Sequence, residues 1–114
     1  MATSLQEPTF LILAALAAEP RHGYGVIQDV TDLSEGRVTL RPGTLYGALD
    51  RLSEQGLVAV DREEIVDGRL RRYYRLTDAG RHALEAEAAR MTEAARLVTG
   101  RARQRRLHPG PRPA

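Results

Sequence analysis

Arg41-Pro42-Gly43-Thr44-Leu45-Tyr46-Gly47-Ala48-Leu49-Asp50-Arg51-Leu52-Ser53-Glu54-Gln55-Gly56 is the stretch whose reading decides the fold. Pro42 suits the first turn of a helix, where its missing N–H would have had no partner. Gly56 suits the position just past the end, where positive φ costs little. Between them Leu45, Ala48, Leu49 and Leu52 recur at i, i+3, i+4 and i+7, so one narrow apolar stripe should seat the helix on a core. Thr44, Gly47 and Arg51 fall on the opposite face, with Tyr46 and Asp50 at its edge. Arg41 holds the expected N-cap position, although it cannot accept an N–H bond and sits at the positive end of the helix dipole. A residue that weakens its own helix points to another task, such as phosphate contact. The plain alternative is a solvated amphipathic helix.

Downstream of Gly56 the period changes. Leu57 to Val66 reads as a strand, Asp67-Gly68 as a tight hairpin turn, and Leu70 to Leu76 as the returning strand. The hairpin tip carries Arg69, Arg71 and Arg72, either a charged edge that resists aggregation or a wing lying along a phosphate backbone. Thr77 then caps a last helix, with Asp78 in its first turn. In that helix Leu84, Ala88, Met91, Ala95, Val98 and Ala102 are spaced alternately four and three apart, a heptad seam. Its alanines make it weak as a free coiled coil, so it reads as a helix packing on a second subunit; packing on its own domain is the alternative. Gly100 should end or fray it, and from Arg101 the chain is basic and Pro-rich, a disordered tail.

Upstream, Thr9 can cap a helix from Phe10 to Ala18, closed by Glu19-Pro20 and apolar on every side. A small chain cannot cover such a helix alone, which again calls for a partner subunit. His22-Gly23-Tyr24-Gly25 opens a second helix with Val26, Ile27, Val30 and Leu33 at helical spacing and Gly36 as its stop. Val38-Thr39-Leu40 is short and β-prone.

The chain has 114 residues, enough for one domain with a modest core. Absence of cysteine excludes disulfides, thiol nucleophiles and thiolate metal sites, and fits a reducing cytoplasm. The apolar run from Phe10 lacks the basic leader of a secretory signal and is too short to span a bilayer. All 17 basic residues are arginine, for a net charge of only +2. Their placement is uneven. Residues 1–40 hold two arginines against five acids, a sum of −3, whereas 68–76 hold four arginines and 99–114 five, with no acid in either. Such clustering suggests a polyanionic partner.

Helix, helix, short strand, helix, hairpin, long helix is the order of a winged helix-turn-helix. The expected class is therefore α+β, mostly helical. Residues 1–8 should form a flexible N-terminus, 9–76 a DNA-binding domain, 77–100 a dimerisation helix and 101–114 the tail. His22-Gly23-Tyr24, Pro42-Gly43-Thr44-Leu45-Tyr46 with Leu49, Leu52 and Gly56, and Arg72-Tyr73-Tyr74-Arg75-Leu76-Thr77 with Gly80 stand in the order and spacing of a known family. Over about residues 9 to 98 the chain resembles the PadR family of bacterial transcriptional regulators, in its short form with a single C-terminal dimerisation helix. That resemblance implies a cytoplasmic homodimeric repressor of double-stranded DNA, often released by a small aromatic or drug-like effector. It places Thr44, Tyr46 and Arg51 on the recognition helix, Arg71 and Arg72 on the wing, Tyr24 and Tyr74 at the helix–wing junction, and Leu84, Met91 and Val98 on the dimer helix. The residue reading adds Arg41 at the N-cap and Arg69 at the hairpin tip as DNA-binding candidates, and Ala88 and Ala95 to the dimer seam. Two features depart from the resemblance. Members often have proline where Gly47 stands, and no aromatic residue follows Tyr74 on which a flat effector could stack at the seam.

An enzyme is not expected. His22, His82 and His108 are scattered, and there is no catalytic constellation, no phosphate-binding glycine loop and no implied cofactor. A His22–His82 metal pair has only lone histidines behind it. The rival function is a winged-helix protein-interaction module without sequence-specific DNA binding.

Overall fold

A computed structural model describes residues 5–107. The order is α1 (Glu7–Ala18), β1 (Arg21–His22), α2 (Gly23–Leu33), α3 (Pro42–Glu54), β2 (Val58–Val66), β3 (Arg69–Leu76) and α4 (Asp78–Leu107). The three strands form one antiparallel sheet in the order β1-β3-β2. Against its inner end pack α1, α2 and α3, around Leu13, Leu16, Val26, Leu45, Leu49 and Tyr74.

The helix α3 buries the stripe that its spacing predicts, Leu45, Ala48, Leu49 and Leu52. Arg41 is its N-cap and makes no side-chain cap bond. Gly56 lies at φ 76° just beyond the C-terminus. At the hairpin turn Asp67 and Gly68 both have positive φ, 52° and 76°, matching the right-handed twist of the flanking strands.

Elsewhere the structure departs from the sequence reading. The helix α1 begins at Glu7, not Phe10; Gln6 is the N-cap, Pro8 occupies the first turn, and Thr9 lies within the helix. Proline in the first turn is the stronger start signal, because it sacrifices no hydrogen bond there. The segment 38–40 is not a strand. Ser34, buried at the end of α2, accepts the Val38 amide on its hydroxyl (2.9 Å) and shapes a loop that inserts Leu40 into the core. The short strand lies instead at Arg21–His22, pairing Arg21 with Tyr74 and His22 with Tyr73. At the other end, α4 continues through Gly100 to Leu107, so the expected tail is helical over 101–107; its remainder and His108 lie outside the described residues.

The start of α4 is fixed from two sides. The Thr77 hydroxyl accepts the Gly80 amide (3.0 Å) and donates to the Gly56 carbonyl (2.6 Å), tying the helix to the end of α3. Further along, buried Glu87 accepts the Leu5 amide (2.7 Å) and pairs with Arg90 (2.8 Å), holding the entry to α1 against α4. These bonds, the backbone amide's first, hold the Glu87 carboxyl below the usual carboxylate range. A lowered folded pKa contributes stability above the unfolded pKa and loses it as pH falls through the folded value. Glu87→Gln is therefore expected to lower the melting temperature at pH 7, with the difference closing in the acid range. A deficit that stayed constant from neutral pH to pH 3 would refute this role. Past residue 88 every described α4 residue is exposed. At 30 residues the helix runs about 45 Å, against a long dimension of 72 Å for the molecule.

Candidate nucleic-acid interface

Arg41 and Thr44 stand exposed on the first turn of α3, where the chain leaves the core. On the hairpin, Arg69 and Arg71 form no ion pair among the described residues, whereas Arg72 lies 3.6 Å from Glu63 on the neighbouring strand. Between α3 and the hairpin tip runs an open groove of about 540 Å³, lined by His22, Tyr24, Tyr46, Arg69, Arg71 and Arg72 among others. It gathers four of the seven residues expected to meet DNA.

Arg51 is not among them. Tyr46 and Arg51 are five residues apart, which is about 140° around a helix axis. Arg51 borders a second groove with Leu5, Gln6, Thr9, Gln55 and Ala83, at the foot of α1 and α4. Tyr46 turns the other way and lays its ring over Gly23, where a Cβ would lie 2.6 Å from Cζ. Burial raises the Tyr46 phenol above its usual pKa, with Tyr74 and Tyr24 adding to the effect. The phenol is thus a neutral hydrogen-bond donor. Thr44, Tyr46 and Arg51, which the sequence joins into one surface, are divided between two edges of α3. Gly47 sits between those edges, and a Cβ there would meet only Arg51, at 3.8 Å. Nothing in the described fold requires glycine at that position.

The hairpin is tied by several contacts where it leaves the core. A register shift between Val60 and Arg62 bulges β2 at Asp61. Beyond it the Arg62 guanidinium lies 3.9 Å from the Tyr73 ring centroid, held by Asp61 and Glu64. The His22 ring meets Tyr73 edge-on at 5.4 Å. His22 also caps α2, its Nδ1 accepting the Gly25 amide at 3.1 Å. Desolvation, then the nearby Arg71 charge, lowers the His22 pKa. Sequence reading gave His22 a part only in opening α2 and in the lone-histidine metal pair; its place beside the wing depends on the β1–β3 pairing.

The expected dimer residues divide differently. Leu84 is half-buried against the core, while Ala88, Met91, Ala95 and Val98 are exposed in the single chain. Past its first turns, α4 therefore does not fold back on its own domain. Among the described residues no cluster could hold a metal, and no helix is long and apolar enough to cross a membrane.

The model of the transcriptional regulator PadR-like family matches residues 12–86. A transcriptional regulator of Mycobacterium tuberculosis is 43% identical over 89 residues, 78% of this chain and 79% of that protein. A PadR family regulator of Clostridium difficile superposes with TM-score 0.70 at 23% identity, over 83% of this chain and 97% of that one. Bacillus subtilis PadR, solved in complex with operator DNA, superposes with TM-score 0.63 at 21% identity, over 71% of this chain and 46% of that one. At such identities the two structures establish the fold, a winged helix-turn-helix followed by a long C-terminal helix; the family match and the mycobacterial relative establish kinship. The chain belongs to the PadR-like family of transcriptional regulators.

Proposed function

We propose that the chain is a cytoplasmic homodimeric repressor that binds a two-fold symmetric operator, with α3 in the major groove and the hairpin along the backbone. The observation that carries this reading is the groove between Tyr46 of α3 and the hairpin arginines, of which Arg69 and Arg71 form no ion pair among the described residues, with Glu64 across the ladder from Arg71. The operator-bound relative of the same fold supports it. The uncovered seam of α4 supports the dimer, whose symmetry calls for half-sites one helical turn apart, about 34 Å. Release by a small-molecule effector completes the proposal. A ligand seated between α4 and the core, beside Leu84 and Met91, would change the separation of the two α3 helices and lower operator affinity.

The test is a titration of variants against operator and scrambled duplex at several salt concentrations. Arg71→Ala should weaken both duplexes alike and reduce the salt slope by about one. Arg72→Ala should reduce it by less, because Glu63 already takes part of that charge. Arg51→Ala and Tyr46→Ala should cost roughly 1–3 kcal/mol on operator and much less on scrambled DNA. Equal losses on both duplexes would make α3 a phosphate clamp rather than a reader. Binding that ignores salt would favour a protein-interaction module instead.

A further inference from the structure

The imidazole of His22 is held in one orientation and one tautomer. A backbone N–H only donates, so the Nδ1 that receives the Gly25 amide must carry a lone pair. The ring is then neutral and its proton resides on Nε2. Tyr73, paired with His22 across the strands, meets the ring edge-on. No acceptor for Nε2–H stands among the described residues, and His22 borders the groove that holds Arg69, Arg71 and Arg72. Burial first, and then the Arg71 charge, disfavours a second proton on the ring, which would break the cap to Gly25.

A groove with a fixed neutral donor and arginines along its wall has the chemistry of a phosphodiester seat. One acid, Asp67, lies at its border, beside the turn. We propose that His22 is a DNA-contacting residue whose Nε2–H donates to a backbone phosphate oxygen seated between α3 and the wing. The inference rests on the DNA-binding reading above and adds a contact of a different kind. The arginines displace counterions from DNA, whereas a neutral imidazole adds affinity without displacing any. The two kinds of contact are therefore separable by salt.

His22→Asn is the informative variant, because asparagine also caps helices well and keeps an acceptor for the Gly25 amide, but does not place an N–H where Nε2 lies. Operator and scrambled duplex should both bind about tenfold more weakly, the worth of a hydrogen bond to a charged group. The salt slope should not change, in contrast to the loss of about one in Arg71→Ala. Thermal unfolding of the variant checks that the cap is kept. In the parent protein, ¹⁵N resonances of His22 should show the Nε2–H tautomer at neutral pH, with that proton protected once operator is bound. Wild-type affinity in His22→Asn would reduce His22 to a helix cap and overturn the inference, as would a lowered salt slope or an imidazolium in the complex. If the parent chain failed to bind duplex DNA at all, the functional reading would fall first and this contact with it.

Discussion

Met91→Glu is expected to weaken the proposed dimer at least a hundredfold. Ala88, Met91, Ala95 and Val98 form a continuous strip along α4 that the chain's own core does not cover. Large and small residues alternate along it, which lets a second helix approach closely. Met91 stands near the middle and is 50% exposed in the single chain. Pairing two such strips would bury each Met91, and a carboxylate in its place would lose water without gaining a partner. Leaving an unpaired charge at a buried position costs about 3–5 kcal/mol, or between two and four decades of affinity. Ala86→Glu supplies the control, since residue 86 is exposed and faces away from the strip. Sedimentation equilibrium should show the parent and Ala86→Glu chains as dimers and Met91→Glu as a monomer. A parent chain that sediments as a monomer at micromolar concentration would end the proposal.

What could be read from the sequence was what local chemistry fixes. The proline, the i, i+3, i+4, i+7 stripe and the trailing glycine place α3 to within two residues, and Asp67-Gly68 places the hairpin. The misreadings share a cause, which is that the deciding partner lies elsewhere in the chain. Arg21–His22 carries no strand signal of its own, and is a strand because Tyr73 and Tyr74, some fifty residues on, supply the ladder. Val38-Thr39-Leu40 has β propensity, but the Ser34 hydroxyl takes its amide first. Gly100 weakens a helix without ending it, and seven further residues of α4 follow to Leu107.

The candidate interface follows the same division. Arg41, Thr44 and the wing arginines could be placed from helix and strand periodicity alone. Separating Tyr46 from Arg51 needed only the angle between them, yet the consequence needed the neighbours: Gly23 draws one ring toward the wing, while the foot of α1 receives the other side chain. Sequence spacing gives the direction in which a side chain leaves its helix. It does not give what the side chain meets.

Among the described residues Gly80→Ala should be the most damaging change of a single methyl group, and it tests how α4 is joined to the rest of the fold. Gly80 is buried in the first turn of α4, and its backbone passes directly under the Leu57 carbonyl. An added Cβ would overlap that oxygen and lie 2.7 Å from Leu76 Cδ1. The carbonyl cannot swing aside freely, because it accepts the Thr77 amide (3.1 Å) and so helps to fix the start of the same helix. The start of α4 must therefore move, and the Thr77 bonds to Gly80 and Gly56 must loosen with it. Overpacking a close backbone contact of this kind costs about 3 kcal/mol, which should lower the melting temperature by at least about 10 °C. The more informative effect is on DNA. If α4 sets the separation of two α3 helices, tilting its base should weaken operator binding through half-site spacing, with little change on scrambled duplex. Operators respaced by one base pair should recover part of the loss. An alanine variant with parental melting temperature and operator affinity would mean that this close approach does not orient α4.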